Sequence, residues 1–289
     1  MLNRKKSKAG SALLILFFAV LRLNAGYSPS YLDISTHDFI HDSIIVAASS
    51  NNTPLMPEVP LHPSMESFVD DYAESNDELF EKIKLNKVNY LKTIDKVFLQ
   101  HNIPVELKYM AIVESKLKND ARSGVGAVGV WQFMPVTAKS FGLKITSKYD
   151  ERQHLWKSSV AAAKYLEKLY TYFGDWLLVV AAYNSGPLHV INAIKKSGSQ
   201  NFWKLQYFLP KETRNHVKRF IATHYYFEGR GSLVTLGKAE SEKYLKELQE
   251  FYAKNDNKED EDTTNPIALL SQLVAIINNE NDIKLILKK

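Results

Sequence analysis

The chain contains no cysteine. That absence excludes a disulfide framework, a thiolate metal site and lipid attachment through an N-terminal Cys. It also lacks a real charge excess. The formal net charge of +5 arises in residues 1–25, MLNRKKSKAGSALLILFFAVLRLNA, which hold Arg4, Lys5, Lys6, Lys8 and Arg22 and no acid. Taking those five from the 37 Lys+Arg leaves 32 against 32 Asp+Glu, so the basic balance gives no reason to expect a nucleic-acid partner. The apolar run inside that segment, Ala12 to Leu21, is too short to span a bilayer comfortably. There is no internal repeat, and no strand-like alternation persists between Val69 and Gly229.

What is present is ordinary for a globular chain: 45% hydrophobic and 24% charged residues over 289 positions, enough for one large or two small domains. Residues 1–25 have a basic start, an apolar middle and a small residue at Ala25, the pattern of a secretory signal peptide. Export to the periplasm or cell envelope is therefore expected. Leu23 is a poor residue two positions before cleavage, so an uncleaved N-terminal anchor is the alternative, and membrane association is expected only in that case. Residues 26–65 read as an extension and linker. His37 and His41 there are four apart, suiting a metal on a helix, but with no third ligand they read as surface histidines and no metal site is expected.

From residue 66 to 231 the texture is helical. Phe68, Val69 and Tyr72 begin one amphipathic segment, Leu79, Phe80 and Ile83 a second, and Tyr90, Leu91, Ile94, Val97 and Phe98 a third. Pro135 opens a helix that Gly142 closes, and others run to Gly174, through WLLVVAAY (176–183), over 188–196 and 202–208, and onward from Pro210. Residues 232–289 form a charged helix, an acidic linker, NDNKEDEDTTN, and an apolar C-terminal tail.

The chain is organised around Pro104–Gly142. If Pro104 opens a helix, Leu107, Met110 and Ala111 form an apolar stripe, Glu114 occupies its next position, and Leu117 continues it. A carboxyl on a buried face is rare unless paired or working. Burial disfavours ionisation, which is how a general acid keeps its proton near neutral pH. Periodicity alone equally allows a Glu at a fraying helix end. Were the helix to continue, Lys118 at i+4 would favour the ionised form, so the acid reading expects the helix to end near Lys116 or Lys118 to point away. Gly124, Gly126 and Gly129 follow, spelling GxGxxG. A dinucleotide site needs a strand before that motif and a helix opening on its last glycine. Here the charged run KLKNDARS precedes it and WQFMP follows.

The set ES-x10-GAxGVWQFMP-x-TA, then AAYNSGP, then LPKETR resembles the catalytic domain of the lytic murein transglycosylases, closest to the membrane-bound D subgroup, over Val69–Gly229. The resemblance implies a mainly α, lysozyme-like domain with a short glycine-rich irregular or β tongue. It implies Glu114 as catalytic acid and base and Ser123, Gln132, Met134, Tyr183, Asn184 and Glu212 as substrate-binding residues. It also implies peptidoglycan glycan strands as partner and no cofactor. By pattern alone, Tyr183 reads equally as a core tyrosine with a wet hydroxyl and Asn184 as a C-cap. Three departures stand out. His216 replaces a Tyr, which the resemblance assigns to the wall of a distal subsite and not to the acid; Asp120 replaces a common Pro; and no LysM-like wall-binding module is present in residues 232–289. Between Glu114 and Asp150 the only other carboxylate is Asp120, beside Lys118 and Arg122, so it reads as a solvated ion-pair member. A goose-type lysozyme-like hydrolase and a non-catalytic wall-binding protein are the alternatives. N-terminal sequencing of envelope-derived protein should start near Gly26; full-length protein retaining Met1 would refute cleavage.

Overall fold

The computed structural model describes residues 57–255. The signal-like residues 1–25, His37, His41, the acidic linker beyond Asn255 and the apolar tail lie outside the described residues. The larger compact unit is Val59–Glu240. Among the described residues it is helical throughout, with three isolated antiparallel bridges, Arg122 to Val128, Val128 to Phe133 and Ile145 to Asp150. The first two make the tongue. Described by itself, the stretch Ser241–Asn255 continues helix α10 (Lys238–Asn255), and its Tyr244 hydroxyl donates to the Pro57 carbonyl at 3.3 Å.

Helix α1 (Glu66–Asn86) is one helix where periodicity suggests two segments. The polar middle, ESND, is helical as well, and the side chains of Ser75 and Asn76 there are bonded to the carbonyls of Asp71 and Tyr72 at 2.7 and 2.8 Å. Helix α2 (Val88–Gln100) ends at HNIP as expected. Pro104 does not open an α-helix directly. It caps a 3-10 turn, Val105–Lys108, that leads into α3 (Tyr109–Ser115). Pro135 opens α4 (Pro135–Ser140). Helix α5 (Leu155–Phe173) stops at Gly174, whose φ of 60° is left-handed.

Helix α6 (Trp176–Ser185) is the core of the unit. Every residue from Trp176 to Ala182 is buried, as an all-round apolar helix must be. It packs against α5, against α7 (Pro187–Ser197) and against α9 (Lys211–Glu228). Between α7 and α9, the sequence 202–208 divides into α8 (Phe202–Leu205) and a 3-10 turn. Helix α9 also packs on α1 and α3. Thr213, His216, Val217 and Phe220 lie at i, i+3, i+4 and i+7 and are all buried, so α9 carries polar groups inward among its apolar ones.

Asp175 caps α6. Its carboxylate accepts from the Leu178 amide at 3.1 Å and from the Lys238 amide at 2.7 Å. Burial pushes its pKa up to about 6, opposed by those backbone bonds. A folded-state value above the unfolded one means that this group's stabilisation is complete below about pH 4 and is lost as pH rises through about 6. Asp175→Asn keeps a cap acceptor and does not titrate. Its stability relative to the wild type should therefore rise by about 2–3 kcal/mol between pH 4 and pH 7 in urea titrations. Parallel curves would contradict the buried-cap account.

The tongue supplies a second test. A Cβ on Gly129 would lie 1.9 Å from the Arg152 carbonyl oxygen, and φ is +87°. Gly129→Ala combines overpacking with backbone strain and should cost at least about 3 kcal/mol. Gly124→Ala meets nothing within 4 Å and should stay within about 0.5 kcal/mol of wild type.

Candidate active site

Glu114 sits on the last turn of α3. The helix stops one residue later because Lys116 and Leu117 both adopt left-handed φ of 57°. Neither is glycine, so each costs about 1–3 kcal/mol of backbone strain. The compensation is visible: the Leu117 side chain is fully buried, and the Lys116 amide donates to the Ile112 carbonyl at 2.8 Å. The reversal removes Lys118 from the helical i+4 position and leaves it exposed, as the acid reading requires.

Ser115 ties this helix end to the tongue. Its hydroxyl donates to the Val130 carbonyl at 2.8 Å. The next residue, Trp131, is fully buried, donates from Nε1 to Ser159 at 3.0 Å and packs on Phe98. The Trp131 carbonyl in turn accepts from the Tyr183 hydroxyl at 2.9 Å. Burial first, and the Glu114 carboxylate second, push the Tyr183 pKa well above its usual range, so this tyrosine is a neutral donor. Tyr165 packs beside it with the rings tilted and their centroids 5.2 Å apart, and burial raises its pKa as well.

The tongue is built from inside. Ser123 accepts the Ala127 amide on its hydroxyl at 2.9 Å. Gln132, at φ 47°, turns its amide inward to the Gly129 and Ala121 carbonyls at 2.8 and 3.3 Å. No strand precedes the glycines and no helix begins on Gly129; the next helix starts at Pro135. That geometry removes the dinucleotide reading. Met134, immediately before α4, is 41% exposed.

Arg152 was not singled out by the sequence. It is buried and donates to the Gly126 and Phe133 carbonyls, both at 2.9 Å, and to Asp150 at 2.7 Å. The guanidinium holds the Asp150 carboxyl below its usual range. Glu151 is likewise engaged, by Lys157 at 2.6 Å and the Lys144 amide at 2.7 Å, and its pKa is lowered by that lysine. Glu212 turns outward to Arg219. Asp120 is exposed. Among the described residues no group of His, Cys, Asp and Glu is placed to hold a metal ion.

Helix α9 closes the other side. Thr213 donates to the Asn184 side-chain oxygen at 2.9 Å, fixing the end of α6. One turn on, His216 Nε2 lies 2.9 Å from Glu114 Oε1, with side chains 4% and 13% exposed. The expectation that His216 concerns a distal subsite wall and leaves the acid untouched is therefore wrong. Its imidazole is the hydrogen-bond partner of Glu114, because α9 packs directly on α3. No local signal could have revealed this contact, since 102 positions separate the two residues.

The structure thus brings together Glu114, Tyr183, the Trp131–Gln132 backbone and, through Thr213, Asn184. Glu212 does not join them. The signature of the Transglycosylase SLT domain family matches residues 98–206. Membrane-bound lytic murein transglycosylase D of Escherichia coli strain K12 is 39% identical over 152 residues, 51% of this chain and 33% of that protein. A protein named transglycosylase from Enterobacteria phage PRD1 is 31% identical over 101 residues, 34% of this chain and 36% of its own. The matched stretch thus spans about a third of these relatives' length. The 70 kDa soluble lytic transglycosylase of Escherichia coli superposes with a TM-score of 0.46 at 19% identity, covering 82% of this chain and 45% of that one. The stretch that the Transglycosylase SLT domain model matches holds Glu114, the tongue and Tyr183–Asn184.

Proposed function

We propose that this protein is a peptidoglycan lytic transglycosylase that cleaves the β-1,4 bond between N-acetylmuramic acid and N-acetylglucosamine. The observation that carries this reading is the setting of Glu114. It is one enclosed carboxyl, and its hydrogen-bond partner among the described residues is an imidazole, not a second carboxylate.

Glycosidases that hydrolyse generally use two carboxylates flanking the scissile bond. One carboxyl suffices if the nucleophile belongs to the substrate. Glu114 gives its proton to the glycosidic oxygen as the bond to the muramic anomeric carbon breaks. The resulting carboxylate then removes the proton from the muramic C6 hydroxyl, whose oxygen closes onto that carbon. A 1,6-anhydro end forms, Glu114 regains its proton, and no water enters. The high effective molarity of an intramolecular hydroxyl stands in for the second carboxylate. The acid and base are one residue, and no cofactor is required by the scheme.

Ser123, Gln132, Met134, Tyr183, Asn184 and Glu212 are proposed to line the glycan subsites, with residues 66–231 as the catalytic domain. Ser123 and Gln132 would act chiefly by shaping the tongue, given their inward bonds. Exposed Met134 and the neutral Tyr183 hydroxyl are the better candidates for touching sugar. The murein enzyme and the phage transglycosylase among the relatives support a cell-wall substrate. With the signal-like residues 1–25, the membrane-bound relative favours a place in the envelope.

The hydrolase alternative needs a free carboxylate to position water. Asp150 and Glu151 are each engaged by a cation, Glu212 faces Arg219, and Asp120 is exposed, which disfavours it.

Glu114→Gln should fold, retain glycan binding and lose turnover by about a hundred- to ten-thousand-fold. Wild-type products made in heavy-oxygen water should carry no label and end in 1,6-anhydro-N-acetylmuramic acid. Labelled reducing ends would replace this mechanism with hydrolysis, and full activity in Glu114→Gln would remove Glu114 from the site.

A further inference from the structure

We infer that His216 is a positioning residue: a neutral imidazole, protonated on Nε2, that donates to Glu114 Oε1 and so confines the reacting proton to Oε2. The inference rests on the transglycosylase reading of Glu114 and adds to it which oxygen does the chemistry.

The geometry restricts the choices. Nε2 and Oε1 are 2.9 Å apart in a nearly dry setting. The other ring nitrogen, Nδ1, is buried and has no hydrogen-bond partner among the described residues. Protonation on Nδ1 alone would bury an N–H with nothing to receive it. It would also require the Glu114 proton to sit on Oε1 and be held by the imidazole instead of reaching a substrate. An imidazolium would bury the same orphan N–H and add a charge. The Nε2–H tautomer leaves only a bare lone pair at Nδ1. Orphaned buried donors are rarer than under-used acceptors, so this third state is the favoured one.

The consequence for Glu114 follows from its two oxygens. While the carboxyl is protonated, Oε1 is its carbonyl oxygen and accepts from Nε2–H, so the proton is carried by Oε2. When the proton leaves, the bond to Oε1 becomes charge-assisted and strengthens. An interaction that tightens as the proton is delivered favours the transition state over the ground state. The same bond fixes the carboxylate's orientation for its return as base. Thr213, one turn earlier on α9 and bonded to Asn184 at 2.9 Å, sets the register that brings His216 to the helix end.

The test uses the whole chain acting on soluble, uncrosslinked glycan strands. His216→Phe keeps a ring and removes the donor. His216→Gln keeps an N–H near the Nε2 position and cannot become a cation. His216→Phe should lower kcat by about ten- to a hundred-fold with KM unchanged, the size expected for losing a hydrogen bond to a charged group. His216→Gln should stay within about threefold of wild type. Equal losses of kcat in the two variants, or a loss confined to KM, would overturn the inference. Independently of activity, long-range proton–nitrogen correlation NMR of wild-type protein should show His216 with a protonated Nε2 and a bare Nδ1. The opposite tautomer or a doubly protonated ring would overturn the inference even if His216→Phe failed to fold. Should the wild type yield no anhydro ends, the transglycosylase reading falls, while the NMR result still decides the hydrogen bond.

Discussion

The tongue, and with it the acid's surroundings, depends on the buried guanidinium of Arg152. A buried cation must be paired and hydrogen-bonded or it is strongly destabilising. Arg152 is satisfied by Asp150 and by the carbonyls of Gly126, inside the glycine segment, and Phe133, beyond its end. One planar group therefore closes a loop that has little secondary structure of its own. The main chain of Arg152 makes the same demand from the other side, because its carbonyl occupies the space a Cβ on Gly129 would need.

Around that closed loop the acid is positioned by bonds to backbone. Ser115 reaches the Val130 carbonyl, Trp131 is anchored by Ser159, and Tyr183 returns to the Trp131 carbonyl. Each bond joins a different helix to the tongue: α3, α5 and α6. The left-handed pair Lys116–Leu117 stores strain where the acid is presented, and the burial of Leu117 offsets it. Helix α9 then adds Thr213 and His216 from across the unit, so the groups around the acid come from four helices and one loop.

Much of this was legible. The stripe Leu107, Met110, Ala111, Glu114 left an inward carboxyl and one at a fraying helix end equally open, and the structure encloses it; of the two ways out of the conflict with Lys118, the early helix end is realised. The glycine, proline and apolar patterns located nearly every helix after residue 100. One feature misled: the polar stretch ESND looked like a break in α1, yet the helix runs through it. Arg152 and Glu151 were not legible at all, since nothing in a charged tripeptide distinguishes solvated groups from buried, paired ones.

By itself the sequence determined the periodic things: helical class, the ends marked by Gly and Pro, and the stripe on which Glu114 falls. Those depend on residues a few positions apart, where helix geometry alone dictates which side chains share a face. Only the tertiary structure decided which groups meet the acid. His216 is 102 positions from Glu114, and its place beside the carboxyl arises from α9 packing on α3. The direction of a buried polar side chain is set by whichever partner lies across the interface, and no local pattern carries that information.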